Sequence, residues 1–338
     1  MMHGLRIIFC LLLTYHLNAQ NHTPVFPELT GEELMQQVVA SYKTTSVLDY
    51  GTARDILYGT IDIKNDSVSG IYTGHKLYLP PGVDPSIHLF MDGASDGINA
   101  EHTYPRSKGA RNGNGFSDMH HLFPSRTAVN ASRNNFPFED INDQETTSWF
   151  YLNESQSSPP NVDVDLYSER INGAFEPRES KKGDIARAMI YFYTMYKEEA
   201  LAADPDFFEE QRETLCRWHQ EDPVDEAEWE RTFMIAKYQD DLPNPFILDS
   251  TLVERTYCEG VTGVEYQSAI EVKLFPNPVI DVLFLRTEEI VNVIVINHYG
   301  KIVYEKKTIK SVDIDFSRLE SGFYILMVNG LGQKVLKL

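Results

Sequence analysis

Apolar positions recur every three to four residues in three stretches of this chain. Leu34, Val38, Val39 and Tyr42 predict a helix over residues 30–50, with Thr30 placed to cap it and Glu33 three residues on. Ile185, Ala188, Met189, Phe192 and Met195-Tyr196 predict a second over Asp184–Leu201, with Asp184 as its cap. The aromatic stripe of this helix reads as core. Trp229, Phe233 and Ala236 mark a third over Asp225–Tyr238, before Pro243 and Pro245 break the chain. Residues 54–80 are mixed, with short apolar runs such as Lys76-Leu77-Tyr78-Leu79 and a turn near Asp66-Ser67. Val129–Asn135 is short and polar and fits a helix lining a site.

The period changes near Gly263. Val282–Leu285, Val291–Ile296, Ile302–Tyr304 and Phe323–Val328 are short alternating runs, with turn signals at Asn297–Gly300 and Asn329–Gly332. They predict a small all-β sandwich. From Glu271 to Leu338 nine basic residues balance eight acidic ones, whereas the whole chain has a formal net charge of −20. The two halves therefore differ in charge as well as in pattern.

At 338 residues the chain is long enough for one large domain and one small one. Its 42% apolar and 24% charged content is that of a globular protein. Arg6, the apolar run Ile7–Tyr15 and the small residue Ala19 read as a cleavable signal over residues 1–19, too short to span a bilayer. No later run reaches transmembrane length. Cys10 leaves with the signal, and Cys216 and Cys258 remain as an even pair in an oxidising destination. A disulfide between them is expected; two separate buried thiols are the alternative.

The densest chemistry lies in Glu101–Asn135, EHTYPRSKGARNGNGFSDMHHLFPSRTAVNASRNN. Hydrolysis of a phosphodiester needs a base for water, a divalent metal on the phosphate and positive charge for the phosphorane. This window holds candidates for each, and its five Lys or Arg outnumber its two acids. An acidic body repels a polyanion, so binding should be weak and salt-sensitive around a local basic cleft.

Glu101-His102, Ser117-Asp118-Met119-His120-His121-Leu122-x-Pro124 and Val129-Asn130-x-x-Arg133-x-Asn135 together resemble the core of the bacterial endonuclease I family. These are secreted or periplasmic nucleases of the His-Me finger (ββα-metal) group. The similarity continues through Asn135-Phe136-Pro137-Phe138, Lys182–Ala188 and Asn244–Ile247, spanning roughly residues 30–250. The resemblance implies an α+β fold: a ββα-metal core with surrounding helices, followed by the β-sandwich. Pro276-Asn277-Pro278, Gly300-Lys301 and Leu319-x-x-Gly322-x-Tyr324 resemble the C-terminal sorting domain of the type IX secretion system. The expected division is a catalytic domain at 20–262, a linker at 263–273 and the sorting domain at 274–338.

By resemblance, Glu101 and Asn130 match the family's metal ligands and His102 its general base. A hard cation such as Mg²⁺ suits one carboxylate and one amide oxygen, with coordination left for water and phosphate. Ca²⁺ or Mn²⁺ are possible substitutes. A neutral histidine can take a proton from the attacking water. In a regular strand Glu101 and His102 face opposite sides, so both serve one site only if the strand bends or ends there. Arg133 is the leading phosphate-clamp or site-organising candidate. Arg106, Arg126 and His121 are candidate substrate contacts, and His120 is a candidate for bonding within the hairpin. A zinc site from His102, His120 and His121 lacks a clear fourth ligand. The stretch Gln239–Phe246 carries Asp240 and Asp241 where many relatives have a basic residue, which removes an expected phosphate contact.

The resemblance implies a secreted, Mg²⁺-dependent, sequence-nonspecific endonuclease giving 5′-phosphate ends. DNA is the expected substrate, RNA a second, and the type IX machinery the export partner. The competing reading is a catalytically inactive secreted binding or adhesion protein on the same scaffold, which the acidic body favours and the intact Glu101-His102-Asn130 set opposes.

Overall fold

A computed structural model describes residues 22–258, 273–297, 301–328 and 331–338, in two compact units. The expected signal at 1–19, nearly all of the expected linker and the tips of the two C-terminal turns lie outside the described residues.

The first unit begins with α1 (Gly31–Tyr42), which buries Leu34 and Val38. Thr30 sits at the N-cap without a side-chain bond. The helix expected over 30–50 ends at Tyr42. Thr44 and Thr45 hydroxyls and the Thr45 and Ser46 N–H groups all donate to Asp240 Oδ2, which holds this stretch out of the helix. Asp49 then caps α2 (Tyr50–Ile56) by accepting from the Gly51 and Thr52 N–H groups. A three-stranded antiparallel sheet follows, β1 (Ile63–Lys64), β2 (Ser67–Ser69) and β3 (Lys76–Tyr78). Its first turn places Asn65 and Asp66 at positive φ. Then comes α3 (Pro85–Phe90), capped by Asp84 with proline in its first turn.

β4 (Ile98–His102) and β5 (Leu122–Arg126) form an antiparallel pair in which Glu101 faces Phe123 and His102 faces Leu122. The long connection turns back through Gly109 at φ +136°, where an added Cβ would lie 2.9 Å from the Ala200 backbone. α4 (Thr127–Arg133) leaves β5 directly. β6 (Ser148–Tyr151), β7 (Glu154–Gln156), β8 (Ser168–Ile171) and β9 (Ala174–Glu176) form a second sheet in the order β7-β6-β8-β9.

The central helix α5 (Lys182–Met195) is buried along its whole length, so its apolar stripe and its aromatics are core, as the pattern predicts. It starts two residues before Asp184, which accepts from Lys181 Nζ at 3.0 Å instead of capping. It also stops short of Leu201. Tyr196 leaves helical geometry, its hydroxyl bonded to Asp118 at 2.7 Å, and α6 (Lys197–Ala203) begins anew. α7 (Arg212–Glu221) packs on α5. α8 (Glu226–Ala236) is capped by Asp225, which accepts from the Glu228 N–H at 2.7 Å, and is followed by α9 (Pro245–Leu248) and α10 (Leu252–Thr256). Cys216 of α7 is disulfide-bonded to Cys258, just beyond α10, with Cα atoms 5.7 Å apart. No helix among the described residues is long and apolar enough to cross a membrane.

The second unit is strand-rich. β10 (Lys273–Phe275), β11 (Val282–Asn297), β12 (Ile302–Asp315), β13 (Gly322–Val328) and β14 (Leu331–Lys337) join into one antiparallel sheet. The runs Val282–Leu285 and Val291–Ile296, expected as separate short strands, belong to a single long β11. Its first part pairs with β10 and its last part with β13, while β12 runs beside both with a register shift between Arg286 and Val291. Leu283, Leu285, Val293 and Val295 from the two parts meet in one core.

Candidate active site

The β4–β5 pair and α4 wall a cavity of about 490 Å³ lined by Tyr50, Arg54, Phe90, Asn99, Glu101, His102, Arg106, Arg111, Asn130 and Asn135, among others. Glu101 and His102 both reach it because β4 ends at His102, which meets the geometric condition that strand alternation imposes.

Glu101 is 2% exposed. Its Oε1 accepts from the Tyr72 hydroxyl at 2.7 Å, and Arg133 Nε lies 3.5 Å from the same oxygen. Burial pushes this carboxyl up to about 7, with Arg133 and Tyr72 pulling it partly back. His102 Nε2 donates to the Phe116 carbonyl at 3.0 Å, which leaves Nδ1 as the basic nitrogen of a neutral ring. Burial, reinforced by His121, lowers its pKa to about 3. Tyr50 and Phe116 pack around the imidazole and fix its plane. Asn130 Nδ2 donates to Asn99 Oδ1 at 2.8 Å and to the Ala100 carbonyl at 3.2 Å. Its carbonyl oxygen has no hydrogen-bond partner among the described residues, and neither has Glu101 Oε2.

Arg54, Arg106 and Arg111 line the cavity against a single acid, Glu101. The site is therefore locally basic on an acidic chain. Arg106 and Arg54 also lie over the rings of Phe116 and Tyr50.

Three expected site residues lie outside the cavity lining. Arg133 does not line the cavity; it is fully buried over Phe138, donates to the Thr103 and Asn134 carbonyls, and touches Glu101. It organises the site from behind. His121 is fully buried against Phe192, and its Nε2 donates to the Gly115 carbonyl at 2.7 Å, so it closes the β4–β5 connection and does not line the cavity. Arg126 is spent on Asp96 and the Glu154 carbonyl, away from the cavity. His120 is bonded to the Leu242 carbonyl. No group of three His, Cys, Asp or Glu is placed to hold a metal among the described residues, and His102, His120 and His121 each bond a backbone carbonyl through Nε2.

The acidic stretch near Gln239 has structural duties. Gln239 donates to Asp118 and accepts from the Met119 N–H, Asp240 binds the 44–46 loop, and Asn244 caps α9. Sequence reasoning missed Tyr72, Tyr50, Arg54, Phe90 and Asn99. Asn99 carried a signal: it lies two residues before Glu101, on the same face of β4. Tyr72 and Arg54 carried none, because tertiary docking brings them in.

Residues 30–251 match the model of the family described as Endonuclease I, and residues 273–338 match that of a secretion system C-terminal sorting domain. The extracellular ribonuclease of Bacillus subtilis (strain 168) is 30% identical over 164 residues, 44% of this chain and 50% of that protein. The extracellular ribonuclease of Bacillus amyloliquefaciens is 28% identical over the same length and shares. The chain spans about half the length of these curated relatives. The sorting domain marks the protein as secreted or displayed at the cell surface. The first match covers the larger part of the chain and includes every residue around the cavity, so the chain belongs to the endonuclease I family.

Proposed function

We propose that the protein is a divalent-metal-dependent, sequence-nonspecific endonuclease that hydrolyses phosphodiester bonds of DNA and RNA to 5′-phosphate products. The observation that carries this reading is the convergence of Glu101, His102 and Asn130 on one cavity, each with an acceptor atom left free for chemistry.

Glu101 Oε2 and Asn130 Oδ1 are the residues' unused oxygens, a donor set that fits a hard cation such as Mg²⁺, with Mn²⁺ or Ca²⁺ as substitutes. When bound, such a cation supplies Lewis-acid charge to the scissile phosphate and to the leaving oxygen. His102 Nδ1 takes the proton of the attacking water, and the Phe116 carbonyl holds the tautomer in which that nitrogen is free. Burial keeps the ring neutral at neutral pH, so the Nδ1 lone pair is unprotonated, while the same burial weakens it as a base. Arg54, Arg106 and Arg111 neutralise the phosphate chain on either side of the cut. Phe90, exposed at the cavity wall, offers a ring face to any unpaired base, which needs no particular sequence. The relatives' name as ribonucleases brings RNA forward beside DNA. Export through the type IX machinery belongs to the same reading.

The test is cleavage by the full chain of supercoiled plasmid, single-stranded DNA and RNA, with chelator and after adding back Mg²⁺ or Mn²⁺. Cutting that stops with chelator and returns with metal is expected. No cutting of any of the three substrates with either metal rejects the enzyme and leaves a binding scaffold.

A further inference from the structure

We propose that Tyr72 is a positioning residue for the metal site, one that holds Glu101 by Oε1 so that Oε2 alone is presented to the cation. The inference rests on the reading of Glu101 as a metal ligand.

Tyr72 lies 29 residues before Glu101 and outside the catalytic motif, yet it is fully buried with its hydroxyl 2.7 Å from Glu101 Oε1. The loop that carries it is fixed from several sides. Gly70 packs so closely on β5 that an added Cβ would meet the Arg126 amide nitrogen at 3.1 Å. The next residue, Ile71, donates its N–H to the Pro124 carbonyl at 2.8 Å and accepts from Arg178 Nε at 2.9 Å. Ser168 Oγ donates to the Tyr72 carbonyl, and the Leu152 N–H donates to that of Thr73. The Tyr72 ring rests on Phe175, with centroids 4.7 Å apart. A tyrosine docked this firmly has little freedom to follow the carboxylate, so the carboxylate is held to it.

Arg133 completes the arrangement. Its Nε has no hydrogen-bond partner within bonding distance and faces the same Oε1 at 3.5 Å. One hydrogen bond, from Tyr72, and one ion-pair contact, from Arg133, thus fall on Oε1, and neither falls on Oε2. A carboxylate held by one oxygen binds a cation through the other with little rotation to lose on binding.

The experiment uses the full chain and two readouts, Mn²⁺ binding by calorimetry and the Mg²⁺ dependence of cleavage. Y72F removes one oxygen and no ring. It should weaken Mn²⁺ binding by about 10–100-fold, the usual effect of losing a group that supports a ligand. Saturating metal should restore cleavage to near the wild-type rate, which a merely structural lesion would not allow. With 4-aminophenylalanine at position 72 the donor returns, and binding should recover. Wild-type Mn²⁺ affinity in folded Y72F overturns the proposal. If Y72F does not fold, the 4-aminophenylalanine variant decides: wild-type affinity supports the proposal, and weakened affinity overturns it. E101A is the separate control. If it binds Mn²⁺ like wild type, Glu101 is no ligand and the underlying reading fails, whatever Y72F does.

Discussion

Asn130 on α4 is tied to Asn99 on β4 by a 2.8 Å bond between their side-chain amides, and this contact leaves the carbonyl oxygen of Asn130, a cavity residue, without a hydrogen-bond partner among the described residues. One amide spends its hydrogens so that its oxygen is left over. Asn99→Ala removes the acceptor while the Ala100 carbonyl still takes one hydrogen. We expect a stability loss of about 1 kcal/mol and metal binding weaker by about tenfold. Urea melts and Mn²⁺ calorimetry read the two effects, and unchanged metal affinity would rule out the tie as a determinant of the site.

Glu101 and His102 are adjacent in sequence and separable in function. H102A should lose about 10²–10⁴-fold in turnover with metal binding intact, and excess Mg²⁺ should not rescue it. E101A should weaken metal affinity and be partly rescued by high Mg²⁺. Nicking rates across a Mg²⁺ series decide this. A wild-type metal dependence in E101A, or near-wild-type turnover in H102A, exchanges or removes the assigned roles.

The Cys216–Cys258 bond closes a loop across a sequence separation of 42. Chain-entropy arguments give such a cross-link about 4 kcal/mol. Intact mass with alkylation before reduction should find no free thiol in the mature exported protein. Reduction should lower the melting temperature by several degrees, and an unchanged melt would show that the bond adds little.

Glu169 and Glu176 stand opposite each other across β8 and β9, both buried. Burial, with the facing Glu176 adding to it, pushes Glu169 up to about 7 against the pull of the Thr146 hydroxyl. An unfolded glutamate titrates near about 4.3. Ionising Glu169 therefore opposes folding: the penalty is absent below about pH 4, grows as pH rises and is complete above about pH 7. E169Q keeps an acceptor for Thr146 without the charge. It should exceed wild type in stability by about 1–3 kcal/mol at pH 8 and match it at pH 4. Denaturant melts at the two pH values check the sign.

The parts of the site that were legible in sequence are those packed into one short stretch. Glu101, His102 and Asn130 sit on a strand, its end and the following helix, so local order alone brings them together. The same density misled for His121 and Arg126. Polar residues in a catalytic stretch also have to close turns and satisfy carbonyls, and these two do that work. Helix interiors were legible through their period, and so were the starts at Thr30 and Asp225, whereas other helix ends were not. Asp184 looks like a cap because apolar spacing starts after it, yet Lys182 and Gly183 are already helical. The break near Ser46 depends on Asp240, almost two hundred residues away. In the second unit Thr287-Glu288-Glu289 interrupts the apolar alternation, yet β11 continues through it, its register against β12 shifting between Arg286 and Val291.

Arg54, Arg106 and Arg111 surround the cavity on a chain whose Asp and Glu number 50 against 30 Lys and Arg. For a polyanion the attraction is concentrated where the chemistry is, and the body around it repels. Few encounters are wasted in adsorption to the wrong face. After a cut, the net negative charge of the chain gives a fragment little hold outside the cavity. Under the proposed activity this makes the protein distributive: each strand departs after one cut, and successive cuts fall on unrelated strands. A mixture of long chains would then shorten evenly, with no molecule degraded to completion while its neighbours stay whole.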